Sequence, residues 1–151
     1  MEKLAWSSEL ETGIDIIDEQ HKRIVGYINQ LQDAHENGNR EAVGDVLNEV
    51  VDYTISHFAF EEALMEQANY SFCAPHKKVH ELFISRVDRF CKRYEAGEDV
   101  AEELLTTLQK WLLNHIKNED GDYVDAVQDY ERRMRHEHQG WLSRSLHRFF
   151  G

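Results

Sequence analysis

The sequence predicts an all-α protein: an antiparallel up-down-up-down four-helix bundle with an additional short C-terminal helix or tail. Three observations carry that expectation. Apolar residues recur at alternating steps of three and four in four separate stretches, which traces one face of a helix and is the pattern of near-parallel bundle packing. One proline and eight glycines among 151 residues leave too little punctuation for many short strands. The connections between the stretches are short, which makes consecutive helices antiparallel neighbours.

The first seam runs Ile17, His21, Ile24, Ile28, Leu31, and Gly38 follows where a helix end needs left-handed backbone. The second runs Val43, Leu47, Val50, Thr54, His57, Glu61, Leu64. A loop at about 69–75 holds Cys73, and Pro75 suits a first helical turn, where its missing N–H costs nothing. The third seam is His76, His80, Phe83, Val87, Phe90, Tyr94, with Gly97 as its terminator. Asp99 is the expected N-cap of the fourth, which begins Leu104, Leu108, Trp111, His115.

Bulk composition narrows the function. A net charge of −12 excludes a nucleic-acid binder, because phosphate recognition needs a basic footprint. Two cysteines, Cys73 and Cys91, are too few for a disulfide framework and read as reduced thiols. No apolar run is long enough to span a bilayer and the N-terminus lacks a signal-peptide core, so membrane insertion is not expected and the expected location is cytoplasmic. The charge is uneven. Residues 131–151 carry a local +3, leaving −15 on residues 1–130. The chain therefore divides into a bundle over 1–130 and a basic amphipathic extension over 131–151.

The seams that define the core also carry His21, His57, Glu61, His76, His80 and His115. One such histidine alone reads as an ordinary core residue with a hydrogen-bond partner. Six together need more, since burying unpartnered titratable groups costs heavily against a total stability of roughly 5–15 kcal/mol. A metal centre supplies the partner, because neutral imidazoles and carboxylates are its ligands. Spacing agrees: His57 and Glu61 are four apart, as are His76 and His80, so each pair leaves one side of its helix.

The fourth stretch is less regular. Strict helical geometry pairs His115 with Glu119, but the apolar seam continues from Asp120 through Val124 and Val127. A one-residue slip inside a helix is what a π-bulge produces. Asp120 is therefore the expected ligand, and Glu119 is expected to face solvent.

The set His21, His57-x-x-x-Glu61, His76-x-x-x-His80 and His115-x-x-x-x-Asp120 resembles the hemerythrin signature in order and spacing. Trp6 and the approach from Gly13 to His21 resemble the lead-in of bacterial hemerythrins, and the likeness covers roughly residues 4–130. The resemblance implies two non-haem iron ions with an oxo or hydroxo bridge. His76, His80 and His115 would bind one iron, His21 and His57 the other, with Glu61 and Asp120 bridging. Counting ligands against two six-coordinate irons leaves one open position, on the iron with two histidines, and an open position marks a reactive site.

Five imidazoles and two carboxylates give little anionic support to high oxidation states, which favours reversible dioxygen binding over O–O cleavage. The expected role is a dioxygen carrier or store rather than an enzyme. An oxygen or redox sensor acting through a partner protein, or an enzyme handling peroxide or nitric oxide, is the alternative. Ile24, Phe58, Leu112 and Ile116 are the expected apolar shield, while Phe60 reads as ordinary core packing. His35 suits the dipole of the first helix end. His136, His138 and His147 lack companion ligands and are not expected to form a second site. Trp141, Leu142, Leu146, Phe149 and Phe150 fall on one side of a short helix flanked by Arg144 and Arg148, expected to dock on the bundle of a monomer. Partner binding by this tail ranks second and membrane-surface contact third. Cys73 reads as a plain thiol ahead of a redox role.

Overall fold

The computed structural model of the protein describes residues 3–134 and 141–150. A short 3-10 turn, Ser8–Leu10, leads into α1 (Asp15–Glu36), α2 (Arg40–Gln67) and α3 (Cys73–Glu95). The fourth rod is composite: α4 (Ala101–Asn114), a π-helical turn (His115–Asp120) and α5 (Gly121–Met134). A separate α6 spans Trp141–Phe150. α1 packs on α2 and α4, and α2 on α3. An ion pair from Arg93 to Glu103 and a stack of Phe83 on Trp111 join α3 to α4, closing the antiparallel four-helix ring.

Local chemistry sets the helix ends. Gly38 and Gly97 take φ of +67° and +99°, the left-handed backbone that closes a helix, and Asn69 does the same after α2 with φ of +55°. The amide of Gly38 donates to His35 O and that of Asn39 to Ala34 O, satisfying the last carbonyls of α1. The Asn39 side chain then accepts from Ala42 N and starts α2. Two boundaries differ from expectation. Val100, not Asp99, is the cap residue of α4, and the Asp99 carboxylate accepts from Ala101 N at 3.4 Å. Cys73 is the first residue of α3 rather than part of the preceding loop, because the amide of Cys73 already turns back to Tyr70 O. Burial pushes the thiols of Cys73 and Cys91 above their usual range, which favours the inert reading of both.

Two apolar clusters fill the interior. The larger includes Ile24, Leu47, Phe58, Phe83, Leu104 and Leu112. The smaller gathers Ile14, Ile17, Phe60, Leu64, Tyr123 and Val127. α6 docks on the second through Leu146, Phe149 and Phe150, with Phe150 set 5.9 Å from Phe60 and 5.2 Å from Tyr53 between ring centroids. His147 and Arg148 stay exposed, so among the described side chains it is apolar contacts that hold the helix down. His136 and His138 lie outside the described residues. Among the described residues no helix is long and apolar enough to cross a membrane.

Candidate metal centre

Between the two apolar clusters lies a polar layer. His21 sits one turn from Ile17 on one side and Ile24 on the other, and α2 and α3 present His57, Glu61, His76 and His80 at the same level. His21, His57, Glu61 and His115 are 0% exposed, His80 1% and His76 7%. Their donor atoms form two overlapping groups, His21, His57, Glu61 and His115, and His76, His80 and His115, each with all atoms within 4.8 Å of one another. All six side chains read from the seams thus converge in one dry volume.

The π-helical turn falls on residues His115–Asp120, where the sequence register slips. Beyond it Val124 and Val127 are buried while Asp125 is exposed, as a one-residue advance requires. The side chains of Glu119 and Asp120 lie outside the described part of the structure.

Glu61 is the hub. Its Oε1 stands 3.0 Å from His57 Nε2, 3.1 Å from His115 Nε2 and 3.7 Å from His80 Nε2. Its Oε2 accepts the hydroxyl of Tyr123, itself fully buried. Two outer acceptors orient the rings. His57 Nδ1 meets Gln20 Oε1 at 2.7 Å, and His80 Nδ1 meets Glu62 Oε2 at 3.4 Å. An acceptor at Nδ1 places the ring hydrogen there and turns the Nε2 lone pair inward, which is the metal-binding tautomer.

That arrangement calls for a cation. An inward lone pair on His57 Nε2 confronts a carboxylate oxygen at 3.0 Å, and the contact is favourable only if a proton or a metal ion joins the two. Burial opposes the proton: it holds the pKa of His57 below the ordinary histidine value, and that of His21 well below, with the nearby His57 adding to the effect on His21. Metal binding carries no such penalty, since its ligand is the neutral imidazole. The donor set therefore fits metal ions better than protons.

Rings close the site from outside. Phe58 stacks on His80 at 3.8 Å and 7° between planes, and Trp111 stacks on His115 at 4.8 Å and 19°. Ile24, Phe58, Leu112 and Ile116 are all buried, as the expected shield requires. Phe60 is buried too, but in the second cluster under α6.

Gln20, Glu62 and Tyr123 were not among the residues read from the sequence. Tyr123 was accessible to that reading, because it lies three residues past Asp120 and hence on the same helical face. Gln20 gives no local signal, since its partner His57 is 37 positions away. Tyr123→Phe keeps the ring and removes the donor to Glu61. In chelator-treated protein its expected cost is about 1.5–3 kcal/mol, the worth of a hydrogen bond to a charged group, read from urea unfolding midpoints.

Comparison with known proteins agrees with this geometry. Residues 12–127 match the family described as Hemerythrin HHE cation binding domain. The chain is 53% identical over 153 residues to Bacteriohemerythrin of Stenotrophomonas maltophilia (strain R551-3), covering all of both chains, and equally so to Bacteriohemerythrin of Pseudomonas aeruginosa (strain LESB58). Bacteriohemerythrin of Methylococcus capsulatus (strain ATCC 33009 / NCIMB 11132 / Bath) is 33% identical over 125 residues, 82% of this chain and 95% of that one. The crystal structure of wild-type hemerythrin superposes with a TM-score of 0.79 at 31% identity, over 82% of this chain and 97% of the other. With the fold, the buried histidine–carboxylate layer and full-length likeness in agreement, the chain belongs to the hemerythrin family.

Proposed function

We propose that His21, His57, Glu61, His76, His80, His115 and Asp120 hold two non-haem irons, and that the protein binds dioxygen reversibly at this centre as a carrier or store. One observation carries the reading: five histidines and a glutamate converge in the core with their inner donor atoms aimed at one volume. When bound, the iron pair supplies the electrons that a dioxygen ligand draws on and takes back.

The chain's own residues do the rest. His115 belongs to both groups of donors; with His115 on the iron of His76 and His80, as in the hemerythrin pattern, the iron held by His21 and His57 would have fewer imidazoles and keep room for a small ligand. Glu61 lies between the groups, and Tyr123 fixes its free rotation through Oε2. Gln20 and Glu62 hold His57 and His80 in the ligating orientation. Ile24, Phe58, Leu112 and Ile116 exclude water, which slows displacement of a bound gas and loss of electrons to solvent. Neutral imidazoles outnumber carboxylates in the set, which supports binding over oxidation.

The test is metal analysis with an optical spectrum recorded before and after deoxygenation. Two irons per chain and a visible band that disappears without dioxygen and returns with it are expected. A single metal per chain, or a band indifferent to dioxygen, overturns the reading.

A further inference from the structure

A narrow crevice of about 20 Å³ opens between α2 and α3. Ile55 and Ile84 stand at it from the two helices, Val50 and Leu108 close it from within, and Thr54 and Phe83 line its side nearest the histidines. Ile55 is 43% exposed, whereas Val50, Thr54, Phe83 and Leu108 are buried, so the lining runs from solvent to core. Every wall side chain is hydrocarbon except Thr54.

Size and lining together choose the occupant. A space this narrow takes one small molecule, a single water or one gas atom or diatomic. Water needs two to four polar partners, and the wall offers a single hydroxyl side chain. A small apolar molecule needs none. The groove between α3 and α4 is the opposite case: at about 860 Å³, with Arg86, Asp99, Glu102, Glu103 and Lys110 on its walls, it is built for water and ions.

Position gives the crevice a purpose. Thr54 precedes His57 by three residues on α2, about 4.5 Å along the axis, and Phe83 follows His80 by the same interval on α3. Phe58 fills the step between: its ring stacks on His80 at 3.8 Å and meets the edge of Phe83 at 6.1 Å. The rings of Phe83 and Phe58 are what stands between a molecule seated in the crevice and His80.

We propose that this crevice is a docking site for a small apolar gas, from which the gas passes to the histidine layer by displacement of the Phe58 and Phe83 rings. That the gas is dioxygen rests on the function proposed above; that the crevice takes an apolar gas does not.

Xenon is the probe for the site and Ile55→Trp the variant, chosen because Ile55 lies at the exposed mouth and its replacement leaves the core intact. Crystals of the unmodified protein under xenon pressure are expected to show an atom bounded by Val50, Ile55, Phe83 and Leu108, and crystals of the variant none. In rapid mixing, Ile55→Trp is expected to slow dioxygen association and dissociation together, each by about threefold or more, with affinity unchanged, because a gate alters both directions equally. Absence of xenon overturns the proposal, as do unaltered rates in the variant or a shift in affinity. A protein with no oxygen-dependent band would defeat the functional reading instead, and xenon occupancy would still decide the crevice.

Discussion

Asp120→Ala is expected to carry at most one iron per chain, while Glu119→Ala carries two. In an uninterrupted α-helix the residue four past His115 shares its face, and that residue is Glu119. The turn from His115 to Asp120 is π-helical, with hydrogen bonds closing five residues apart. One extra residue in the turn rotates everything downstream by about 100° relative to the α register. That register would give Asp120 the place over His115 that an α-helix gives Glu119, and the burial of Tyr123, Val124 and Val127 with exposure of Asp125 follows the advanced register. On the proposed centre, Asp120→Ala would strip a shared ligand from both metal ions and leave the buried imidazoles with less compensating negative charge. Iron content by elemental analysis, with circular dichroism to show that both variants fold, checks the prediction. Asp120→Asn, which keeps one oxygen donor, should fall between. Full loading of Asp120→Ala with loss in Glu119→Ala would assign the ligand to the α register.

The bundle was readable because burial leaves a periodic trace. On α2 the seam Val43, Leu47, Val50, Thr54, His57, Glu61, Leu64 is buried throughout, and its polar members stood out only because the apolar ones fixed the face. The π turn was readable for the same reason: the apolar phase before His115 and after Asp120 disagrees by one residue. Contacts that join distant segments left less trace. Gln20 precedes His21 and lies off the α1 seam, yet it is buried because His57 on the next helix needs an acceptor there. Asp18 is buried for a local reason that the seam also hides, accepting both the amide and the hydroxyl of Thr12 at 2.8 Å ahead of α1. Glu62 looks like a solvated neighbour of Glu61 until α3 brings His80 against it. The tail showed an apolar side in its sequence, but its seat against Phe60 and Tyr53 depends on how α2 turns those rings outward from the bundle axis.

Stripping the metal should leave a protein that loses stability steeply below about pH 6.5, where histidine titrates when unfolded. Burial sets the direction: the folded-state pKa of His57 is lowered and that of His21 lowered well below the ordinary value. Below pH 6.5 the unfolded chain takes up protons at both positions more readily than the folded chain. The unfolded state therefore binds more protons, and stability falls as pH falls until the folded-state pKa values are reached. The unfolded histidine is already half protonated at pH 6.5, so each contributes at most about 1 kcal/mol between pH 6.5 and 5.5, and the two together at most about 2 kcal/mol. Against a total of roughly 5–15 kcal/mol that is a large fraction. Metal opposes the loss while it stays bound, adding about 4 kcal/mol at a thousandfold excess over its dissociation constant. Protons compete for the same nitrogens, so the loaded protein should hold its stability at neutral pH and then release metal and stability together on acidification. Urea midpoints of chelator-treated and iron-loaded protein at pH 7.5, 6.5 and 5.5 distinguish the two curves. A metal-free protein equally stable at all three would mean that His21 and His57 take protons as readily folded as unfolded, which two side chains 0% exposed to water do not permit.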